Sequence, residues 1–187
     1  MAENPVVTSI KKINTCLNMN LNNNNINLRG LISGNIEEFS DGAVPSVTKC
    51  GFNGCTSLTS INLPVCTNIG QLAFGGCKSL TSINLPECTS IDSNAFYGCT
   101  ALTSISLPAC TSIGYGAFYG CTSLTIIKLT NLSKICTLSN SNAFKNTAIA
   151  NKVGYIYVPD ELVEQYKKAT NWSVYASQIK PLSAYTE

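Results

Sequence analysis

Ten cysteines, at positions 16, 50, 55, 66, 77, 88, 99, 110, 121 and 136, are the residues of this chain whose type and spacing could do chemistry. A thiol can ligate metal, exchange disulfides or attack a substrate, and each role needs a partner close by. No histidine occurs in the chain, which removes the commonest general base and the commonest metal ligand together. Cys50 and Cys55 form a C-x₄-C pair, no C-x-x-C is present, and neither a zinc nor a thioredoxin-like site is supported. Serine and threonine abound, yet there is no G-x-S-x-G elbow and no imidazole to activate one. Carboxylates gather at Glu37, Glu38 and Asp41 and again at Asp160, Glu161 and Glu164, where solvated end faces account for them. The sequons Asn131-Leu-Ser133 and Asn171-Trp-Ser173 are taken as accidental. The expectation is a protein that is not an enzyme, with no catalytic residue, cofactor or metal.

The cysteines instead mark a period. From Cys55 to Cys121 they fall every eleven residues, but Cys55, Cys77, Cys99 and Cys121 follow glycine whereas Cys66, Cys88 and Cys110 precede threonine, so the true repeat is 22. At that spacing the chain resolves into columns: Leu58, Leu80, Leu102, Leu124; Ile61, Ile83, Ile105, Ile127; Leu63, Leu85, Leu107, Leu129; Ile69, Ile91, Ile113, Ile135; Phe52, Phe74, Phe96, Phe118; and Gly54, Gly76, Gly98, Gly120. Fixed-period self-similarity of this length defines a solenoid. Under this reading the regularly spaced thiols are small buried hydrophobes and stay reduced, because parallel in-register side chains point the same way rather than at each other.

These columns assign the elements. Leu58-x-x-Ile61-x-Leu63-x-x-Cys66 and the two units after it satisfy the leucine-rich signature L-x-x-L-x-L-x-x-N/C. Ile61 and Leu63 alternate with Ser60 and Asn62, so a short parallel strand buries one set and shows the other. Pro64, Pro86 and Pro108 end the strands, since proline cannot donate to a central ladder. Ala95-Phe96-Tyr97-Gly98 suits one helical or 3₁₀ turn on the outer side, its glycine permitting the positive-φ corner. Ile36–Cys55 is a degraded earlier coil with Asp41 in a leucine position, and Ala143-Phe144 arrives four residues late, which implies an insertion around Ser139–Asn142.

At the ends, Leu17, Met19 and Leu21 alternate with asparagines before Ile26 and Leu28, which reads as a polar hairpin or irregular first coil. Tyr155–Val158 reads as a last strand, and Asp160 as the N-cap of a helix to about Ala169 striped by Leu162, Val163 and Tyr166. A second short helix after Asn171 would turn Trp172, Tyr175 and Ile179 inward. The expected fold class is an α/β repeat solenoid: a right-handed coil stack with one parallel sheet, short outer turns and a C-terminal helical cap. The expected divisions are 1–35 as N-terminal cap or hairpin, 36–149 as about five coils, and 150–187 as strand and cap.

The unit C-x-S-L-T-S-I-x-L-P-x-C-T-x-I-x-x-x-A-F-x-G, from Cys77 to Gly98, resembles the BspA-like branch of bacterial leucine-rich repeats, over roughly Ile36–Phe144. Ile156-Tyr-Val-Pro-Asp-Glu-Leu-Val-Glu-Gln-Tyr166 followed by Thr170-Asn-Trp172 is similar to that group's C-terminal cap. The resemblance implies a cell-surface or secreted module of host-associated microbes that adheres to host proteins or to other cells, and the expected partner is a protein or glycan, from a host or not. It also admits a phage or virion decoration protein.

Other features bear on partner and place. Lys+Arg 12 against Asp+Glu 10 leaves almost no field to gather phosphate or anionic lipid, so nucleic acid is not an expected partner. Apolar stretches reach four or five residues, against the ~20 that span a bilayer, and Met1–Thr15 lacks an apolar signal core, so membrane insertion is not expected and virion or cytoplasmic scaffold roles stay open beside the surface. Two faces are candidates for partner binding. The sheet presents Ser60, Asn62, Ser82, Asn84, Ser104, Ser106 and Lys128; the outer turns present Tyr97 and Tyr119 in one column with Tyr115 beside it. Tyrosine suits an interface because it buries much area at low rotamer cost and keeps a hydroxyl.

Overall fold

The computed structural model describes residues 12–15, 37–42, 44–131 and 133–186. Among the described residues thirteen short strands and a few short turns of helix make the fold, and all the paired strands run parallel. On the front wall lie β1 (Lys12–Thr15), β2 (Glu38–Asp41), β4 (Ser60–Asn62), β6 (Ser82–Asn84), β8 (Ser104–Ser106), β10 (Ile126–Lys128), β12 (Tyr155–Val158) and β13 (Ile179–Pro181). Ile61 pairs with Ile83 and Ile105 with Ile127, as the isoleucine column requires. The front wall is two ladders, β1-β2-β4-β6 and β8-β10-β12-β13; β6 and β8 lie side by side without ladder bonds. Ile83, at this seam, is half-buried while Ile61 and Ile105 are buried.

A second wall adds to the single sheet expected. Strands β3 (Ser46–Val47), β5 (Asn68–Ile69), β7 (Ser90–Ile91), β9 (Ser112–Ile113) and β11 (Thr137–Leu138) form a continuous parallel ladder. Each is two residues long, too short for alternation to show in sequence. Both walls are reinforced by threonines that donate to the carbonyl 22 residues earlier: Thr81 Oγ1 to Thr59 O (3.1 Å), Thr89 to Thr67 O (3.0 Å), Thr111 to Thr89 O (3.1 Å) and Thr125 to Thr103 O (3.2 Å). Along the third side the outer turns are stitched by Phe74 N to Ala95 O (2.8 Å), Phe96 N to Ala117 O (2.8 Å) and Phe118 N to Ala143 O (2.9 Å). Apart from the β6–β8 seam of the front wall, successive central coils are thus bonded on three sides, which satisfies backbone groups that burial would otherwise leave costly.

The core is stacked columns. Phe52, Phe74, Phe96, Phe118 and Phe144 are all buried, and successive rings stack with centroids 5.1, 5.3, 5.4 and 5.6 Å apart. Gly54, Gly76, Gly98 and Gly120 take φ of 80°, 71°, 68° and 75°, the corner the sequence assigned to glycine. A second positive-φ column, Cys50, Leu72, Asn94 and Gly116, has no uniform residue type to betray it.

Most of the insertion in the last coil lies earlier than expected. Leu129 N still bonds in step to Tyr157 O, but Cys136 Sγ sits 3.8 Å from Cys110 Sγ, a separation of 26 residues in place of 22. Leu138, not Ile135, pairs with Ile113. The ladder offset is thus 25 at Leu138 and the turn offset 26 at Phe144, so three of the four extra residues enter between Thr130 and Thr137 and the fourth between Leu138 and Ala143, and Ile135 only matches the spacing. Thr147, 26 residues after Cys121 in sequence, is buried, with Oγ1 donating to Phe144 O (2.6 Å).

The ends also differ in detail. Ile13 of β1 pairs in parallel with Phe39, so this segment belongs to a coil; the hairpin expected over residues 17–28 lies outside the described residues. In the cap, a 3₁₀ turn Asp160–Leu162 leads into α1 (Val163–Lys168), and Pro159 holds the N-cap position. Asp160 instead accepts from Ser183 N at 3.1 Å, and the Ser183 hydroxyl and backbone N–H together hold its carboxyl below the usual range. A 3₁₀ turn Ser173–Tyr175 replaces the second helix, and Ile179 belongs to β13. β13 pairs with β12 through Ile156 and Ile179, so the cap extends the sheet by a strand that ends on Pro181. Among the described residues no helix is long and apolar enough to cross a membrane.

All described cysteines are free thiols; Cys50 is half-buried and Cys55, Cys66, Cys77, Cys88, Cys99, Cys110, Cys121 and Cys136 are buried. The glycine-preceded column points its thiols at backbone carbonyls of the previous coil, Cys77 to Phe52 O (3.1 Å), Cys99 to Phe74 O (3.1 Å) and Cys121 to Phe96 O (3.0 Å). Burial pushes the thiols of Cys77 and Cys88 up from 9.0 to about 12. Thiol titration is expected to find few reactive groups in the native protein and about ten after denaturation. The native chain keeps protons that the unfolded chain releases. The thiols' contribution to stability should therefore be level below pH about 9 and decline toward pH about 12. Several disulfides by mass spectrometry, or an alkaline limb that does not fall, would contradict this.

Candidate functional site

Two faces carry the candidate residues. On the front wall Ser60 and Lys128 are half-buried and Asn62, Ser82, Asn84, Ser104 and Ser106 are exposed. Parallel register makes rows of them. Asn84 Nδ2 donates to Asn62 Oδ1 (2.7 Å) and Asn62 Nδ2 to Ser40 Oγ (2.9 Å), so the asparagines form a ladder along the stacking direction. Such a surface offers hydrogen bonds but little area to desolvate.

The outer turns are different. Tyr97 and Tyr119 stack with centroids 5.5 Å apart and 19° between planes. Tyr97 is 47% exposed and Tyr119 half-buried, its hydroxyl accepting from Asn146 Nδ2 at 3.3 Å. Lys145 Nζ lies 5.9 Å from the Tyr119 ring. Tyr115 is 48% exposed, but its ring makes no stacking contact with the other two. The structure therefore brings together Tyr97 and Tyr119, with Tyr115 apart.

A third cluster was not singled out from sequence. At the C-terminal end of the front wall Lys128 Nζ lies 4.0 Å over the Tyr185 ring and Lys180 Nζ 5.6 Å from the Tyr155 ring. Tyr157 joins them edge-on, 5.1 Å from Tyr185 and 6.2 Å from Tyr155. The signal for the tyrosines was present: Tyr155 and Tyr157 alternate with buried Ile156 and Val158, so they face outward. Lys180 carries no such signal, because the sequence predicts a short helix carrying Ile179 and no strand there, while β13 sets Lys180 beside Tyr157.

The class of protein follows from this geometry: a solenoid whose chemistry is confined to outward-facing polar and aromatic rows. Among the described residues no group of three or more His, Cys, Asp or Glu is placed to hold a metal ion. The profile of BspA type leucine rich repeat regions matches residues 45–164 in six copies, and the chain belongs to that family. The comparison with curated proteins returned no match. Among solved structures, the chain is similar to a Treponema pallidum leucine-rich repeat protein, with 30% identity, a TM-score of 0.52, and 67% of this chain and 57% of that one covered. A leucine-rich repeat protein from Bacteroides ovatus gives 25%, 0.58, 81% and 37% in the same order. A leucine-rich cell surface protein from Faecalibacterium prausnitzii shares the fold at 22% identity and TM-score 0.53, over 84% of this chain and 45% of that chain. The chain thus spans well under two thirds of each of these structures. Repeat proteins of this family generally serve as non-enzymatic interaction modules.

Proposed function

We propose that this chain is an adhesion module, acting at a bacterial cell surface, that engages a protein partner through the outer-turn tyrosines Tyr97 and Tyr119. The observation that carries the reading is the stacked pair itself, with Tyr97 exposed by 47%. A pre-stacked aromatic pair loses little side-chain freedom on binding and keeps a hydroxyl at its rim, the traits of an interface anchor. The family supports a binding role, and the cell surface protein among the structural neighbours supports the location. Glycan binding on the serine and asparagine rows of the front wall is a second reading, favoured by the amide ladder of Asn62 and Asn84.

The test offers the chain to a panel of purified extracellular proteins and glycans by biolayer interferometry. Y97S combined with Y119S is expected to abolish binding to a protein hit. Stability should change by only about 1 kcal/mol, the worth of a lost stacking contact at the surface. Undiminished binding by the double variant would sink the proposal.

A further inference from the structure

We infer that the cluster at the C-terminal end of the front wall, Lys128, Tyr155, Tyr157, Lys180 and Tyr185, is a binding site for an acidic glycan, a chain of sugars bearing carboxylate or sulfate. This site is on a different side of the coil from the Tyr97–Tyr119 pair and does not depend on it.

Three observations point to this ligand. The first concerns the two ammonium groups. Both Lys128 and Lys180 are positioned by tyrosine rings, at 4.0 Å and 5.6 Å, and neither is within ion-pair distance of a carboxylate among the described residues. An aromatic face attracts a cation without using up its N–H donors. Both ammoniums are therefore held in place with donors free for an anion, the charge complement of a carboxylate or sulfate.

The second is the aromatic surface between them. Tyr155 is 42% exposed and Tyr157 half-buried, so part of each ring is free. An aromatic face with a hydroxyl at its edge matches a sugar ring, whose apolar C–H face and polar rim are arranged in the same way.

The third is what continues from the cluster. Going back along the stack, Lys128 is in register with Ser106, while on the neighbouring ladder Asn84 is in register with Asn62. These are short neutral hydrogen-bonding groups at the ~4.8 Å interval of adjacent strands. A polyhydroxylated chain can use such a row over several sugar units. An acidic peptide would gain little from it, because the row residues Asn62, Asn84 and Ser106 are short and polar and offer no apolar side chain to pack against. The front face therefore reads as an extended polar track that ends on an aromatic and cationic anchor.

The experiment measures binding of the full chain by isothermal titration calorimetry to heparin oligosaccharides (sulfated), hyaluronan oligosaccharides (carboxylated), neutral dextran and poly-glutamate. Binding to one or both acidic glycans, weakened by raised salt, is expected, and dextran should not bind. K128Q with K180Q should weaken binding about tenfold or more, as expected for the loss of hydrogen bonds to a charged group. Y155S should weaken it several-fold, and since Tyr155 is 42% exposed and lies outside the core the variant should fold, as circular dichroism would verify. K49Q with K78Q, which removes the same charge at exposed positions elsewhere, should leave binding unchanged. Y97S with Y119S should also bind glycan normally, which separates this proposal from the preceding one. The inference is overturned if neither acidic glycan binds, if the K49Q and K78Q pair weakens binding as much as K128Q and K180Q, or if poly-glutamate competes as well as the glycans.

Discussion

Removal of Asp160–Glu187 is expected to give aggregates rather than a shorter monomer. Three losses combine. The first is apolar cover: Trp172, Tyr166 and Tyr175 are buried against the last coil, with the Trp172 and Tyr175 rings 5.8 and 5.4 Å from Phe144. The second is polar: Tyr166 Oη accepts from Cys136 N (2.8 Å) and Trp172 Nε1 donates to Cys136 O (2.7 Å). Without the cap both backbone groups lose their partners, at about 1–3 kcal/mol for each that stays buried. The third is geometric, because loss of β13 leaves β12 as an open parallel edge able to pair with another chain. Light scattering coupled to size exclusion distinguishes the outcomes. A truncated chain that stays monomeric, with an unchanged melting temperature, would show the cap to be dispensable. The single substitution Trp172→Ala isolates the packing part and should cost about 3–5 kcal/mol.

Phe96→Ala is expected to destabilise the native state by about 3–5 kcal/mol, measured by urea denaturation. Phe96 is fully buried, stacked at 5.3 Å on Phe74 and 5.4 Å on Phe118, so its removal opens a gap in the middle of a five-ring column. The neighbouring outer coils cannot collapse into the gap without breaking the turn bonds at Phe74 N and Phe96 N. Tyr97, the next residue, points outward, and its replacement is nearly neutral for folding by the reasoning above. A loss below about 1 kcal/mol for Phe96→Ala would mean that the column does not carry the core.

Residues 58–129 were legible because each column repeats one residue type, so that noise at one coil is corrected by its neighbours. Ile61, Ile83 and Ile105 announced their strand in this way, as did Gly76, Gly98 and Gly120 their corner. Where a position depends on backbone geometry alone the columns fall silent: Cys50, Leu72, Asn94 and Gly116 share a positive φ but no side-chain property. Most of the insertion was misplaced because Ile135 met the arithmetic while Leu138 met the ladder. In the cap no repeat averages out local ambiguity, and the sequence places Ile179 on a short helix where its partner strand β12 makes it sheet. The same holds for the binding faces. Tyr97 and Tyr119 could be found because they recur at the period, whereas Lys128, Tyr157, Lys180 and Tyr185 converge from three separate segments and only folding brings them together.

The in-step threonine, phenylalanine and alanine bonds between coils make neighbouring units interchangeable. Phe74 meets Phe96 much as Phe96 meets Phe118, and each turn bonds its successor through the same atoms. Adding or removing one whole 22-residue unit within this stretch would keep the turn bonds and the ring stack in step. Each such event moves the tyrosine-lysine end of the front wall by one strand spacing, ~4.8 Å, relative to the first coil. Reach becomes a heritable quantity that can change in fixed steps without redesign of either end.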